Sequence, residues 1–558
     1  MLRNGNNIIR LAVLTVLCGA LLLSATACGT FDEMLEIFEG GNESRVDINH
    51  SGEVSEDISK EEEVPDTAAE LFVTTAFGDG LMITGYTGTE SFVKIPSFID
   101  GKAVVAIAAD AIKDTKPDEG EALHITHIIV PDTVVQIAAS AFSGCKKLVS
   151  LTVPFVGGKA DGHSYIGYVF GAQSANGNKK ALPETLVEIN AGGNVLADDA
   201  FKSCDGVETI RLSGITSVGK NAFNGCVSLK TLHIPDSVTL IGDGAFLGCS
   251  SLAELSLPFL GNGGDKLFFG AVFGAEDYKQ NHSYVPGSLR RVTLSCPADI
   301  PAGAFYECNG LTALTLKGAV NSVGENAFYR CKKLKKLDIV ADETYTGIST
   351  LSGYSFGYCS SLGEIKLADS ITLIPEGAFY GCSALRSVYF GETVNAMPST
   401  VSAVEKGAFA YCESLTAMKL SDALTVIEEQ TFYGCSYLRS VDIPSTITEI
   451  KKDAFKGCNN LKDVTLGSGL TTVGDGAFSY CSSLVSITLP QNLNNYGNYA
   501  FAYCEYLSDV KLMCNEANLG KGVFAGCGRI VVTVDPESQT YQSLIESGLG
   551  NTNLKAPQ

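Results

Sequence analysis

Residues 234–257 read Ile-Pro-Asp-Ser-Val-Thr-Leu-Ile-Gly-Asp-Gly-Ala-Phe-Leu-Gly-Cys-Ser-Ser-Leu-Ala-Glu-Leu-Ser-Leu, and this stretch decides the fold. Leu252, Leu255 and Leu257 are spaced L-x-x-L-x-L, as in a short strand that turns its apolar side inward and ends at Pro258. Ahead of them, after the turn at Pro235, Val238 and Ile241 point inward. Gly242 lets the chain bend, and Ala245 with Phe246 fill a corner before Cys249. A unit of this size has too little apolar surface to fold alone and buries its face only against others like it.

The unit recurs along the chain. A phenylalanine followed three residues later by a cysteine occurs fourteen times, from Phe142/Cys145 to Phe524/Cys527, and from Phe409 to Phe524 every step is 23 residues. The period predicts a repeat solenoid: one right-handed leucine-rich-repeat stack of 23-residue coils with short parallel strands, mainly β with little helix, and roughly 14 to 17 coils. The pattern I-P-x-x-V-x-x-I-G-x-x-A-F-x-G-C-x-x-L-x-x-V-x-I resembles the BspA-like leucine-rich-repeat family of bacterial surface proteins. Ile83-Thr84-Gly85-Tyr86 and Ile95-Pro96 resemble that family's first coil, and Val532 to Tyr541 its closing one. The resemblance implies a role in surface adhesion or recognition. Its motif is structural and names no ligand.

The N-terminus reads as an export signal. Arg3 and Arg10 precede the apolar stretch 11–23, and small residues lead to Cys28, so residues 1–27 are expected to be removed. Ala25-Thr26-Ala27-Cys28-Gly29 resembles a bacterial lipobox, which implies lipidation of Cys28; an ordinary secretory signal with an incidental cysteine, or an uncleaved anchor, is the alternative. The apolar stretch is short for a span, which takes about 20 residues. From Phe31 to Glu70 there are fourteen Asp or Glu against Arg45 and Lys60, so residues 28–70 read as an acidic, extended tether. The solenoid is then expected over 71–540, with 541–558 as a C-terminal cap or tail.

The whole chain of 558 residues carries a formal charge of -22. That disfavours nucleic acid and anionic membrane surfaces as partners and leaves cations or basic partners open. Contact with a membrane is expected through the lipid anchor only. Fourteen of the 18 cysteines fall at one core-facing repeat position, where a thiol behaves as a small buried hydrophobe, so free thiols are expected rather than disulfides. Cys296 and Cys514 fall outside that series.

Two breaks in the period stand out. Phe142 to Phe201 and Phe246 to Phe305 are each 59 residues apart, and the added segments, near 155–190 and 259–290, resemble each other. Val153-Pro154-Phe155 with Tyr165, Tyr168 and Phe170 parallels Leu257-Pro258-Phe259 with Phe268, Phe269 and Phe273. Aromatics on loops that leave a solenoid are candidate ligand contacts, with packing against the solenoid side as the competing role. A second candidate surface is the outward stripe of the strands: Thr315, Asp338, Lys366, Tyr389, Lys419, Asp442, Thr465, Thr488 and Lys511. Asp338 beside Lys366 and Lys419 beside Asp442 would pair across neighbouring strands.

The six histidines are scattered, and no nucleophile, metal-ligand or phosphate-loop motif is present in the sequence. No catalytic residue, metal site or cofactor is implied. Three roles follow: a lipid-anchored protein that meets an extracellular protein of a host or neighbouring cell; a structural spacer of the envelope; or a glycan-binding protein that uses the twin insertions.

Overall fold

The computed structural model describes residues 64–114, 123–159, 164–295, 299–546, 549 and 553–557. Cys28, the export signal and nearly all of the acidic segment lie outside the described residues. The unit built from these residues begins at Pro65. Thr67 is buried, its backbone N–H donates to Lys94 O at 2.9 Å, and Asp66 pairs with Lys94. The folded part therefore starts a few residues before Leu71.

An antiparallel pair, Phe72–Phe77 with Gly80–Tyr86, covers the first coil. From Phe92–Lys94 onward the strands stack in parallel. The longest sheet has ten strands, from Phe92–Lys94 to Lys336–Val340. In strand Glu254–Leu257, Leu255 and Leu257 are buried while Glu254 and Ser256 face out, the alternation expected of a one-sided strand. A second wall of two-residue strands, such as Leu240–Ile241 and Glu449–Ile450, runs parallel in the same way. At the far end, Leu554–Lys555 pairs in parallel with Val531–Thr533, and the helix Gln539–Glu546 lies between these strands in the chain.

The corner phenylalanines form the spine of the core. Eleven pairs of rings, from Phe201–Phe223 to Phe501–Phe524, lie 5.0–5.8 Å apart with planes within 27° of parallel. Beside them the described cysteines are free. Cys331 Sγ donates to Phe305 O at 3.0 Å and Cys382 Sγ to Phe356 O at 3.0 Å, and the same bond joins one coil to the one before along most of the stack. A thiol is a weak donor, and here it gives a second bond to a buried carbonyl that already accepts the backbone N–H of its own coil's cysteine, as Phe305 O does from Cys308. Burial pushes the Cys331, Cys382 and Cys435 thiols up to about 12.

The stack has about 20 turns, more than the Phe–Cys count suggested. Other residues take the corner in the remaining coils: Ile112 N–H donates to Ala141 O in the way Phe223 N–H donates to Ala245 O. Each 59-residue interval also holds two turns rather than one repeat plus an insertion. The first of them is lengthened, with strands starting at Ser150 and Glu188 in one case and at Glu254 and Arg291 in the other.

Candidate recognition surfaces

The two lengthened coils share one skeleton. Each has a 3-10 turn, Ile166–Phe170 or Phe269–Phe273, closed by a left-handed glycine, Gly171 or Gly274. Behind it sits a buried asparagine. Asn178 Oδ1 accepts from Gly167 N–H at 3.0 Å while its Nδ2 donates to Lys202 O; Asn281 Oδ1 accepts from Gly270 N–H at 3.0 Å while its Nδ2 donates to the carbonyls of Gly303 and Ala304. A Cβ at Gly167 or Gly270 would lie 2.4 or 2.3 Å from that asparagine oxygen, so glycine is required at both.

This geometry removes half of the aromatics expected to touch a ligand. Phe269 and Phe273 are fully buried and Phe170 nearly so; Phe273 packs against Phe246 and Phe170 against Phe142, both tilted at 58°, and Phe269 against Phe305 at 33°. They continue the phenylalanine spine through the long coils. Tyr165, Tyr168 and Phe268 stay partly exposed, Tyr165 against Tyr168 and with its hydroxyl donating to Ala172 O.

The strand stripe lies at the surface. All nine of its members are exposed or half-exposed, with Thr315 opposite Asp338, Lys366 opposite Tyr389, and Asp442 opposite Thr465. Its expected ion pairs do not form. Asp338 pairs with Lys336 on its own strand and Lys366 with Glu392, because the loop 341–347 separates the strands Lys336–Val340 and Glu364–Leu367. The loop leaves a cleft of about 480 Å³ between Asp338, Tyr345 and Lys366. Lys419 and Asp442 sit on adjacent coils without closing to ion-pair distance; the pairs that do bridge strands are Arg211–Glu188 and Arg291–Glu254.

A third surface was not legible as a column of the repeat. On the outside of the phenylalanine corner, Tyr278, Tyr306, Tyr329, Tyr354, Tyr358, Tyr380, Tyr411 and Tyr433 form one continuous row with ring centroids 5.1–6.4 Å apart. Four of them follow a corner phenylalanine directly; Tyr358 and Tyr411 come two residues after one. Tyr358 and Tyr411 have φ of 59° and 58°, at a position where neighbouring coils carry Gly381 and Gly434 in the same left-handed conformation. Each ring lies over the glycine of the next coil: a Cβ on Gly381 would meet Tyr358, and one on Gly434 would meet Tyr411. The chain's own cations rest on the row. Arg330 is 5.3 Å from the Tyr329 centroid and 5.8 Å from that of Tyr358, Lys456 is 5.8 Å from Tyr433, and Lys279 is 5.8 Å from Tyr278. Burial pushes the Tyr380 phenol up to about 12, with the Tyr358 and Tyr411 phenols adding to the rise.

Three of the described histidines make local contacts. His124 pairs with Asp114 at 2.9 Å, His282 contacts Lys279 O and Glu307, and His127 stacks on Phe92, where burial lowers its pKa. Among the described residues no group of three or more His, Cys, Asp or Glu is placed to hold a metal ion, and no helix is long and apolar enough to cross a membrane.

Parallel coils of about 23 residues on an L-x-x-L-x-L core define a leucine-rich-repeat solenoid. The model of the BspA type leucine rich repeat region matches residues 121–157, 179–270, 287–401 and 402–531, and the chain belongs to that family. Two of the gaps in the match fall in the lengthened coils. Among solved structures, the chain is similar to a leucine-rich repeat protein from Bacteroides ovatus ATCC 8483 (20% identity, 88% of this chain and 100% of that one, TM-score 0.34). It is also similar to a leucine rich cell surface protein from Faecalibacterium prausnitzii A2-165 (23% identity, 74% and 93%, TM-score 0.24) and to the pneumococcal vaccine antigen PcpA (13% identity, 87% and 96%, TM-score 0.22). No curated protein matches the chain.

Proposed function

We propose that this chain is a non-catalytic protein of the bacterial cell surface, lipid-anchored through Cys28 and held off the membrane by its acidic segment. There it recognises an extracellular protein of a host or neighbouring cell. The observation that carries this reading is the tyrosine row. Tyrosine supplies large contact area at low entropy cost and is enriched at the centres of protein interfaces. A spacer has no need of it, and placing tyrosine where glycine would be unstrained costs of order 1 kcal/mol or more per residue.

The test is binding of the purified folded part, residues 65–558, to arrayed extracellular-matrix proteins and glycans. Beside it run a variant with Tyr329, Tyr358, Tyr380 and Tyr411 changed to leucine and a variant with both lengthened coils shortened to 23 residues. Saturable protein binding lost in the leucine variant supports the reading. Binding lost only in the shortened variant moves recognition to Tyr165, Tyr168 and Phe268, and binding to no arrayed molecule favours a spacer. Anchoring is tested separately: incorporation of an alkyne-labelled fatty acid should disappear in Cys28→Ser.

A further inference from the structure

Resting on the protein-recognition reading above, we infer that the tyrosine row binds a short, extended segment of its partner rich in arginine or lysine, with the cations seated on the tyrosine faces.

The argument starts from ring orientation. In the core the phenylalanines lie nearly parallel, as in Phe478–Phe501 at 2° and Phe305–Phe328 at 4°, so each face is covered by the next ring. From Tyr329 onward the tyrosines of the row do the opposite, although Tyr306–Tyr329 lie within 17° of parallel. Tyr329–Tyr358 cross at 85°, Tyr358–Tyr380 at 53°, Tyr380–Tyr411 at 62° and Tyr411–Tyr433 at 63°. A herringbone of this kind leaves faces uncovered, and Tyr358 and Tyr411 are more than a third exposed. The face of an aromatic ring carries the negative end of its quadrupole and attracts cations within about 6 Å of the centroid.

The chain shows where such cations sit. Arg330 occupies Tyr329 and Tyr358 together, and Lys279 and Lys456 occupy the two ends of the row, at Tyr278 and Tyr433. Between them, Tyr354, Tyr380 and Tyr411 carry no such cation among the described residues. The surroundings favour the same sign. Glu376 accepts from the Tyr354 hydroxyl at 3.3 Å, and Glu307 lies under Arg330. Tyr411 holds a ring face that the chain's own cations leave free on a left-handed residue, the conformation that Glu307, Arg330 and Tyr358 share at the same repeat position.

The probes are fluorescein-labelled octa-arginine and octa-citrulline, which has nearly the same shape without the charge, titrated into the intact protein by fluorescence anisotropy. Octa-arginine should bind at least about tenfold more tightly than octa-citrulline, and the quadruple Tyr→Leu variant should lose about tenfold. The quadruple Tyr→Phe variant keeps the ring faces and should stay within about threefold. Arg330→Gln should raise the affinity, by emptying two faces, whereas Lys332→Gln removes the same charge in the same coil and should not. A thermal melt and the Tyr→Phe variant separate loss of binding from loss of folding. Equal binding of octa-arginine by a folded Tyr→Leu variant would mean attraction to general acidity and overturn the inference, as would equal binding of octa-citrulline. Tyrosine-dependent capture of a neutral oligosaccharide in place of octa-arginine would make the row a sugar site. If an arrayed protein binds through the tyrosines and octa-arginine does not compete, protein recognition stands and the cationic segment falls. If octa-arginine binds as described and no arrayed protein does, the surface chemistry stands and the proposed adhesion role falls.

Discussion

Residues 164–182 and 267–285 fold alike inside and differ outside. Both keep the 3-10 turn, the left-handed glycine and the buried asparagine, yet the position of Tyr278 in the second is Ala175 in the first, and that of Tyr284 is Ala181. Only the second coil joins the tyrosine row, through Tyr278 against Tyr306 at 5.6 Å. The difference teaches that stacking fixes the interior of every coil and leaves the exterior free to diverge. The inner features should therefore respond alike wherever they are disturbed, and the outer ones by region.

The largest effect expected inside is collective. Cys145, Cys331, Cys382 and Cys435 are held up to about 12 by burial against an ordinary 9.0. Below pH 9 these thiols are protonated in both the folded and unfolded chain. As pH rises past 9 the unfolded chain releases protons that the folded one keeps, so stability should fall by roughly 5 kcal/mol by pH 10, at about 1.4 kcal/mol per unit for each thiol. Denaturant midpoints at pH 8 and pH 10 under reducing conditions measure it; a flat profile would mean that the thiols are not shielded in this way. Next, Phe273→Ala and Phe170→Ala should each cost about 3 to 5 kcal/mol, because both empty a large buried site in the same spine. A cost below 1 kcal/mol at either would break the equivalence of the two coils. Asn178→Ala and Asn281→Ala should each cost about 1 to 3 kcal/mol by leaving a buried glycine N–H unpaired, and Gly270→Ala should be at least as harmful. Outside, Tyr278→Ala should cost about 1 kcal/mol with its lost ring contact, whereas Ala175→Tyr should change stability by less than about 0.5 kcal/mol. Tm shifts on the paired variants sharpen the contrast.

How far the sequence reached follows the same division. The interior was legible because stacking demands one residue type at one position: Phe246, Cys249, Leu252 and Leu255 repeat in register and are buried. The expected 14 to 17 coils fell short of about 20 in part because Ile112 takes a corner that the Phe–Cys signature does not mark, and because the first turn of each 59-residue interval has Phe170 or Phe273 without a following cysteine. The expected Asp338–Lys366 pair failed for a local reason, since residues 341–347 separate their strands. The tyrosine row escaped notice because its members occupy different repeat positions. Tyr380 follows its phenylalanine, Tyr411 comes two after, and Tyr354 comes two before. Only coil-to-coil stacking brings these positions into one line.

The thiol-to-carbonyl bond has one more consequence. Between Phe409 and Phe524 each coil presents to the next the same ring, the same thiol and the same acceptor, at a constant 23-residue step. Any coil in this stretch is thus a fair substitute for its neighbour at the joint. In-frame loss or duplication of 23 residues would rejoin surfaces that already match, so the length of the molecule can drift between generations while its architecture is kept. The lengthened coils and the loop at 341–347 lack this interchangeability, and they fix the register of the part that carries the start of the tyrosine row.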